Sequence, residues 1–240
     1  MNISIAIDGP AGAGKSTISK LLALKFGLQY VDTGAMYRGV ALLALRQGIS
    51  DIHDESRLAA IARDADFQFK MEKENDAIMN RVFLNGEDVT DAIRVEEVTR
   101  FSSPVSAVSG VRRELVAKQK QMGARGGVVM EGRDISTVVL THAEVKIFLT
   151  ASETERARRR QLDLAASGAP PPLKDVVRAL RERDTRDSTR ADSPLVQAPD
   201  AVLVDTDNKS IDEVVDEISS IVTRHLNSAR INTDSHGKGR

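Results

Sequence analysis

Gly9-Pro10-Ala11-Gly12-Ala13-Gly14-Lys15-Ser16-Thr17 follows directly on the apolar run Ile3-Ser4-Ile5-Ala6-Ile7. Gly9, four intervening residues and Gly14-Lys15-Ser16 complete a phosphate-binding loop, in the required context of a strand before and a periodic helix after. Glycines let the backbone curl until its N–H groups converge, and the start of the next helix adds partial positive charge at the same point. The motif assigns Lys15 to the β- and γ-phosphates of a nucleoside triphosphate and the Ser16 hydroxyl to Mg²⁺. A bare connecting turn would need neither the lysine nor the hydroxyl.

Outward from the loop, Ile18, Leu21, Leu22, Leu24 and Phe26 supply a helical apolar face, with Gly27 as C-cap. Leu28-Gln29-Tyr30-Val31 reads as a strand running into Asp32-Thr33-Gly34 and a second helix through Val40, Leu42, Leu43 and Leu45. Two strand-turn-helix units in succession predict an α/β fold, a parallel sheet covered on both faces. Ligands of such sheets collect at the carboxyl ends of the strands, which brings Asp32, Thr33 and Arg38 near the phosphate loop.

The chain has 240 residues, enough for one sizeable core carrying inserted pieces. Its 34 lysines and arginines nearly cancel 35 acidic residues, so no global field draws it to nucleic acid or membrane. Aromatic residues make up 3% of the chain, too few for a base-stacking platform. Without cysteine there is no disulfide framework, thiolate metal site or cysteine nucleophile. No signal peptide or membrane span is expected, and the cytoplasm is the expected compartment. The four histidines lack ligand-like spacing and are read as structural or solvated.

A short helix over 56–65 precedes a change of texture. Phe67–Met71 and Arg81–Leu84 read as strands of a small antiparallel-sheet insert, with Asn85-Gly86 turning into Glu87-Asp88-Val89. Ile93, Val95 and Val98 suggest a helix that Ser102-Ser103-Pro104 should break. A long helix from about Val111 to Met122 leads to the buried strand Gly127–Met130, which opens into Glu131-Gly132-Arg133-Asp134. Val145–Leu149 is the next strand. Ser152 and Glu155 form a capping box for a helix whose Arg156, Arg159 and Arg160 share an outer, cationic side. Ser167-Gly168-Ala169 and Pro170–Pro172 should stop it. Arg183, Asp187 and Arg190 recur at steps of four and three on the following helix, so all three can enter one pocket. Ala201–Val204 is a fifth strand, and Ile211 to Val222 give the last helix its apolar face. From Asn227 to Arg240 the polar sequence reads as a frayed tail.

A phosphate loop serves kinases, GTPases, motors and transport ATPases alike. The guanine-reading Asn-Lys-x-Asp is absent, and the strand ending at Met130 leads to a lone Glu131 rather than an acidic pair. Arg38, Arg112, Arg133, Arg183, Arg186 and Arg190 form a second set of cations, and converging guanidinium forks suit a second phosphorylated ligand. Taken singly, Arg183 with Asp187 and Asp187 with Arg190 also have the spacing of ordinary helix ion pairs. A kinase with a small acceptor such as UMP, AMP or a shikimate-like molecule, and a nucleotide-binding module without transfer activity, remain open at this level.

Gly-Pro-Ala-Gly-Ala-Gly-Lys-Ser at 9–16, Asp-Thr-Gly-Ala-Met-Tyr-Arg at 32–38, Glu-Gly-Arg-Asp at 131–134, the arginine-rich run at 156–160 and Arg-Asp-Thr-Arg-Asp-Ser-Thr-Arg at 183–190 together resemble the bacterial cytidylate kinases, from about Ile3 to Leu226. The resemblance implies a nucleoside monophosphate kinase fold. That fold is of the P-loop type, with a five-stranded parallel core over 1–65 and 109–226, a lid near 152–170 and a nucleotide-binding insert over 66–108. It further implies that residues 9–17 hold ATP, with Mg²⁺ carried by Ser16, phosphates and water. Thr33, Arg38 and Arg133 would then hold the acceptor phosphate of CMP or dCMP, Ser103, Arg112 and Asp134 the cytosine, and Arg183, Asp187 and Arg190 the sugar and phosphate. Arg156, Arg159 and Arg160 would close on ATP, and with Lys15, Arg133 and Asp134 form the catalytic set of a monomer. Cytosine suits the trio: Arg112 can donate to N3 and O2 while Asp134 and Ser103 accept from N4.

Overall fold

The computed structural model describes residues 2–74, 77–165, 168 and 170–236. Five parallel strands form the central sheet in the order β2-β6-β1-β7-β8. They are β1 (Ser4–Asp8), β2 (Gln29–Asp32), β6 (Val128–Gly132), β7 (Val145–Thr150) and β8 (Val202–Asp205). Both β1 and β6 are buried at all five positions, which explains their apolar runs Ile5–Ile7 and Val128–Met130. Alternation along β1 assigns its two faces. Ile5 and Ile7 pack with Ile18 and Leu22 of α1 (Lys15–Phe26) and with Val214, Ile218 and Val222 of α8 (Ile211–His236). Ala6 joins Val31, Val128, Met130 and Ile135 on the other face. Of the apolar positions assigned to α1, Leu24 is exposed, whereas Gly27 caps the helix at φ 64° as expected.

The texture change at Phe67 is an antiparallel three-stranded sheet, β3 (Phe67–Glu74), β4 (Ala77–Leu84) and β5 (Glu87–Asp88), with Asn85 and Gly86 both at positive φ in the turn. It does not bury a core of its own. Phe67, Val82 and Leu84 share one cluster with Met36 and Val40 of α2 (Thr33–Arg46), Leu58 and Ile61 of α3 (Glu55–Asp64), and Val111 and Leu115 of α5 (Ser109–Gly123). Gly39 makes that contact close: a Cβ there would stand 2.5 Å from the Phe67 ring.

Several local expectations are corrected. Helix α4 (Glu96–Val105) runs through Ser102-Ser103-Pro104 instead of breaking there, because Pro104 falls in the last turn, where the helix stops one residue later. The capping box of α6 (Glu153–Ala165) is half made: Ser152 Oγ accepts from Glu155 N–H at 3.3 Å, but the Glu155 carboxylate turns to Arg158 and Arg159, and Ser152 N–H donates to Asp207. Helix α8 continues to His236, so residues 227–236 are helical rather than frayed. No glycine or proline interrupts them, and each added residue adds a backbone bond. Residues 237–240 of the expected tail, and Ser167 and Ala169 of the expected helix stop, lie outside the described residues. Among the described residues no helix is long and apolar enough to cross a membrane.

Candidate active site

The phosphate loop joins the end of β1 to α1 and is pressed from behind. Gly9 has φ 150°, and a Cβ there would lie 2.0 Å from the Leu149 carbonyl oxygen of β7. Gly12, at φ 79°, lies against the backbone of Arg156, with 3.0 Å from a notional Cβ to its carbonyl oxygen. A side chain at Gly9 would collide with backbone, and one at Gly12 would be crowded and strained by its positive φ. Lys15 is buried and donates from Nζ to the Pro10 carbonyl at 2.8 Å. Burial, reinforced by the nearby Arg133 guanidinium, lowers its pKa to about 7. Ser16 is exposed at the start of α1, and its hydroxyl interacts with Glu131 at the end of β6. Burial, then the charge of Asp32, pushes the Glu131 carboxyl up, and the Tyr30 hydroxyl donates to it.

An exposed hydroxyl beside a carboxylate, at the mouth of a glycine cradle, is a donor set that would suit Mg²⁺. Among the described residues no three carboxylate or imidazole groups gather into a self-sufficient metal site. Such a cation would therefore depend on ligands from the bound nucleotide.

Beside the loop, the carboxyl ends of β2 and β6 carry the second group of cations. Asp32 caps α2, accepting from Ala35 N–H at 2.9 Å, and its other oxygen holds Arg38 at 2.8 Å. Thr33 Oγ1 donates to the Glu131 carbonyl at 2.7 Å, which ties the start of α2 to β6. Asp187, in α7 (Leu173–Thr189), is the hub of three arginines. Its distances are 2.8 Å to Arg133, 3.8 Å to Arg190 and 4.0 Å to Arg183. Burial works to raise this carboxyl, but Arg133 and then Arg183 outweigh it and hold it below its ordinary value. Arg183 itself is lowered to about 10 by burial and by the charge of Arg133. So many partly desolvated cations around so few carboxylates suit a polyanionic ligand.

A third group lies further along. Arg112 donates to Asp134 at 2.6 Å and to the Ser106 carbonyl at 3.2 Å, and its guanidinium stands 5.6 Å from the centre of the Tyr37 ring. Arg190 approaches the other Asp134 oxygen at 3.7 Å. Ser103 Oγ, one turn before Ser106, is buried with no hydrogen-bond partner among the described residues. Asp8 sets the backbone of this region, accepting from the N–H groups of Ile135 and Ser136 at 2.8 and 2.7 Å.

Helix α6 divides the three arginines expected on one outer face. Arg156 is buried, not exposed. It donates to the Ala11 and Ala151 carbonyls at 3.1 and 3.2 Å and to Asp184, because its side of α6 packs on the loop and α7. Arg159 donates to Glu155 and to the hydroxyl and carbonyl of Thr206. Arg160 is half-buried, close enough for its charge to lower Arg183, and makes no ion pair with a described residue.

The family model for cytidylate kinase matches residues 5–224. The chain belongs to the cytidylate kinase family. A curated cytidylate kinase of Solibacter usitatus is 50% identical over 230 residues, covering 95% of each chain. One from Limosilactobacillus reuteri is 51% identical over 223 residues, covering 92% of this chain and 96% of the relative. Among solved structures, an uncharacterized protein from Eubacterium ventriosum aligns with a TM-score of 0.50 at 11% identity, over 93% of this chain and 99% of that one, a likeness of fold alone. As a cytidylate kinase family member the chain is a phosphotransferase. Its sequence left Asp8, Tyr37 and Asp184 without a role. Asp8 directly precedes Gly9 and Asp184 follows Arg183, positions that could have drawn notice, but nothing local reveals which backbone groups their carboxylates reach.

Proposed function

We propose that the enzyme transfers the γ-phosphoryl group of Mg-ATP to CMP, and to dCMP, by direct in-line displacement. The observation that carries this reading is the buried Arg112–Asp134 pair, with the Ser103 hydroxyl, unpartnered among the described residues, one turn before the Ser106 carbonyl that accepts from Arg112, and with Arg190 joining Asp134 to the cluster around Asp187. Donors and acceptors there match the cytosine edge, and the cations suit the adjoining phosphate. Thr33 and Arg38 complete the acceptor phosphate site in this reading.

An oxygen of the CMP phosphate attacks the γ-phosphorus, the bond to the β–γ bridging oxygen breaks, and CDP and ADP form. The attacking oxygen is already anionic near neutral pH, so positioning and charge neutralisation replace a general base. Lys15 stabilises the charge on the β- and γ-oxygens, and Arg38, Arg133 and Arg183 offset repulsion between the two nucleotides. Ser16, together with the phosphates, would hold Mg²⁺, which would supply further charge neutralisation. Arg159 and Arg160 approach ATP as the segment near 152–170 closes and excludes water. We place the enzyme in the cytoplasm as a monomer.

The test is ADP release in a coupled assay with Mg-ATP and each of CMP, dCMP, UMP, AMP and GMP, with a no-acceptor control. Release fastest with CMP and dCMP is expected. Equal release without acceptor, or preference for a purine monophosphate, would overturn the reading.

A further inference from the structure

Helix α7 faces two ways. Arg183, Asp187 and Arg190 belong to the cluster beside the loop, but Asp184, one residue further round the helix, turns toward the loop's outer side. Its Oδ1 accepts from the Ala11 N–H at 3.4 Å, and its Oδ2 accepts from Arg156 Nη1. That same Nη1 donates to the Ala11 carbonyl at 3.1 Å, while Arg156 Nε donates to Ala151 at 3.2 Å. Both polar backbone groups of one loop residue are thus held by a single ion pair drawn from α6 and α7. The arginine side chain is 9% exposed and the aspartate 23%, so the pair is screened less than a surface bridge. The Ala11 side chain packs with Ala157, Val176 and Leu180 from the same two helices, and Gly12 lies against the Arg156 backbone.

The Ala11 N–H is spent on a carboxylate, and its orientation constrains the peptides on either side. We propose that Asp184, acting with Arg156, is a positioning residue for the donor loop: the pair locks the Ala11 peptide in the orientation that shapes the phosphate cradle. Arg156 in this role touches no phosphate. Helix α7 then links the two nucleotide sites, holding the donor loop through Asp184 and the acceptor cluster through Arg183, Asp187 and Arg190. The inference rests on the reading that residues 9–17 take the ATP phosphates.

Asp184→Ala removes both contacts, whereas Asp184→Asn keeps an oxygen for the Ala11 N–H and loses the charge facing Arg156. For Asp184→Ala the KM for ATP should rise on the order of tenfold while the KM for CMP at saturating ATP stays within about twofold, with a smaller ATP effect for Asp184→Asn. Arg156→Ala should act in the same direction, and the double variant should be no worse than the poorer single one. A merely structural role would lower the active fraction and leave both KM values alone. An unchanged ATP KM, an equal rise in both KM values, or additive effects would overturn the inference. If Asp184→Ala does not fold, the Asp184→Asn pair with wild type decides by the same split. If wild type fails to phosphorylate CMP, the functional reading falls. The clamp is then judged by calorimetric titration of Mg-ATP, with weaker binding to the variants supporting it and equal binding refuting it.

Discussion

Lys15 shows how one residue can carry both function and a pH signature. Its ordinary value of 10.5 falls to about 7 in the folded protein, first through burial and then through Arg133. Between these values the unfolded chain holds the proton and the folded one has lost it, so stability of the ligand-free enzyme should rise with pH from about 7 to about 10.5. Denaturant titrations of wild type and Lys15→Met across that window test this, and the slope should shrink in the variant. ATP phosphates would restore the charge. Calorimetric titration at pH 8 in two buffers of different ionisation enthalpy should therefore report proton uptake that Lys15→Arg abolishes. Lys15→Ala should keep its circular dichroism signal and lose most activity. At the other end of the site, Asp134→Asn exchanges an acceptor for a mixed group. The CMP preference over UMP, read as a ratio of kcat/KM, should shrink by the equivalent of about 1–3 kcal/mol.

At the scale of elements, the glycines divide by what surrounds them. Gly9 and Gly27 both have positive φ, but a Cβ at Gly27 would meet nothing within 4 Å, whereas at Gly9 it would collide with the Leu149 carbonyl. Gly27→Ala should cost about 1 kcal/mol in thermal or denaturant unfolding and leave activity intact. Gly9→Ala should cost about 3 kcal/mol and abolish ATP-dependent transfer, since the backbone of the loop or of β7 must move. The end of the helical periodicity marks the cap at Gly27, and the loop motif marks Gly9. It held no sign that β7 backs the loop, because that contact joins residues 140 positions apart. The same limit explains Arg156: its three- and four-residue spacing with Arg159 and Arg160 suggests a shared face, but which part of a helix is buried depends on its neighbours.

Across the whole molecule, the insert and the α2–α3–α5 layer share one core, so they should unfold together. A single transition by circular dichroism and calorimetry is expected, with no separate melting of residues 66–108. Phe67→Ala empties the space against Gly39 and should cost about 3–5 kcal/mol, lowering the midpoint of that one transition. It should also weaken CMP binding more than ATP binding in equilibrium titrations, because the cluster it disrupts supports α5, which carries Arg112, and α2, which carries Arg38.

Strand and helix identity, the phosphate loop, the antiparallel texture near Phe67 and the arginine spacing on α7 follow from the sequence itself, since each depends on residues within a few positions of one another. Tertiary structure decided what those residues face. Asp8 reaching the 135–136 backbone, Arg112 meeting Asp134 and Asp184 holding Ala11 all span from 22 to 173 residues. Contacts at that separation leave no local period in the sequence. They exist because the parallel sheet brings the carboxyl ends of β1, β2 and β6 together beside α7.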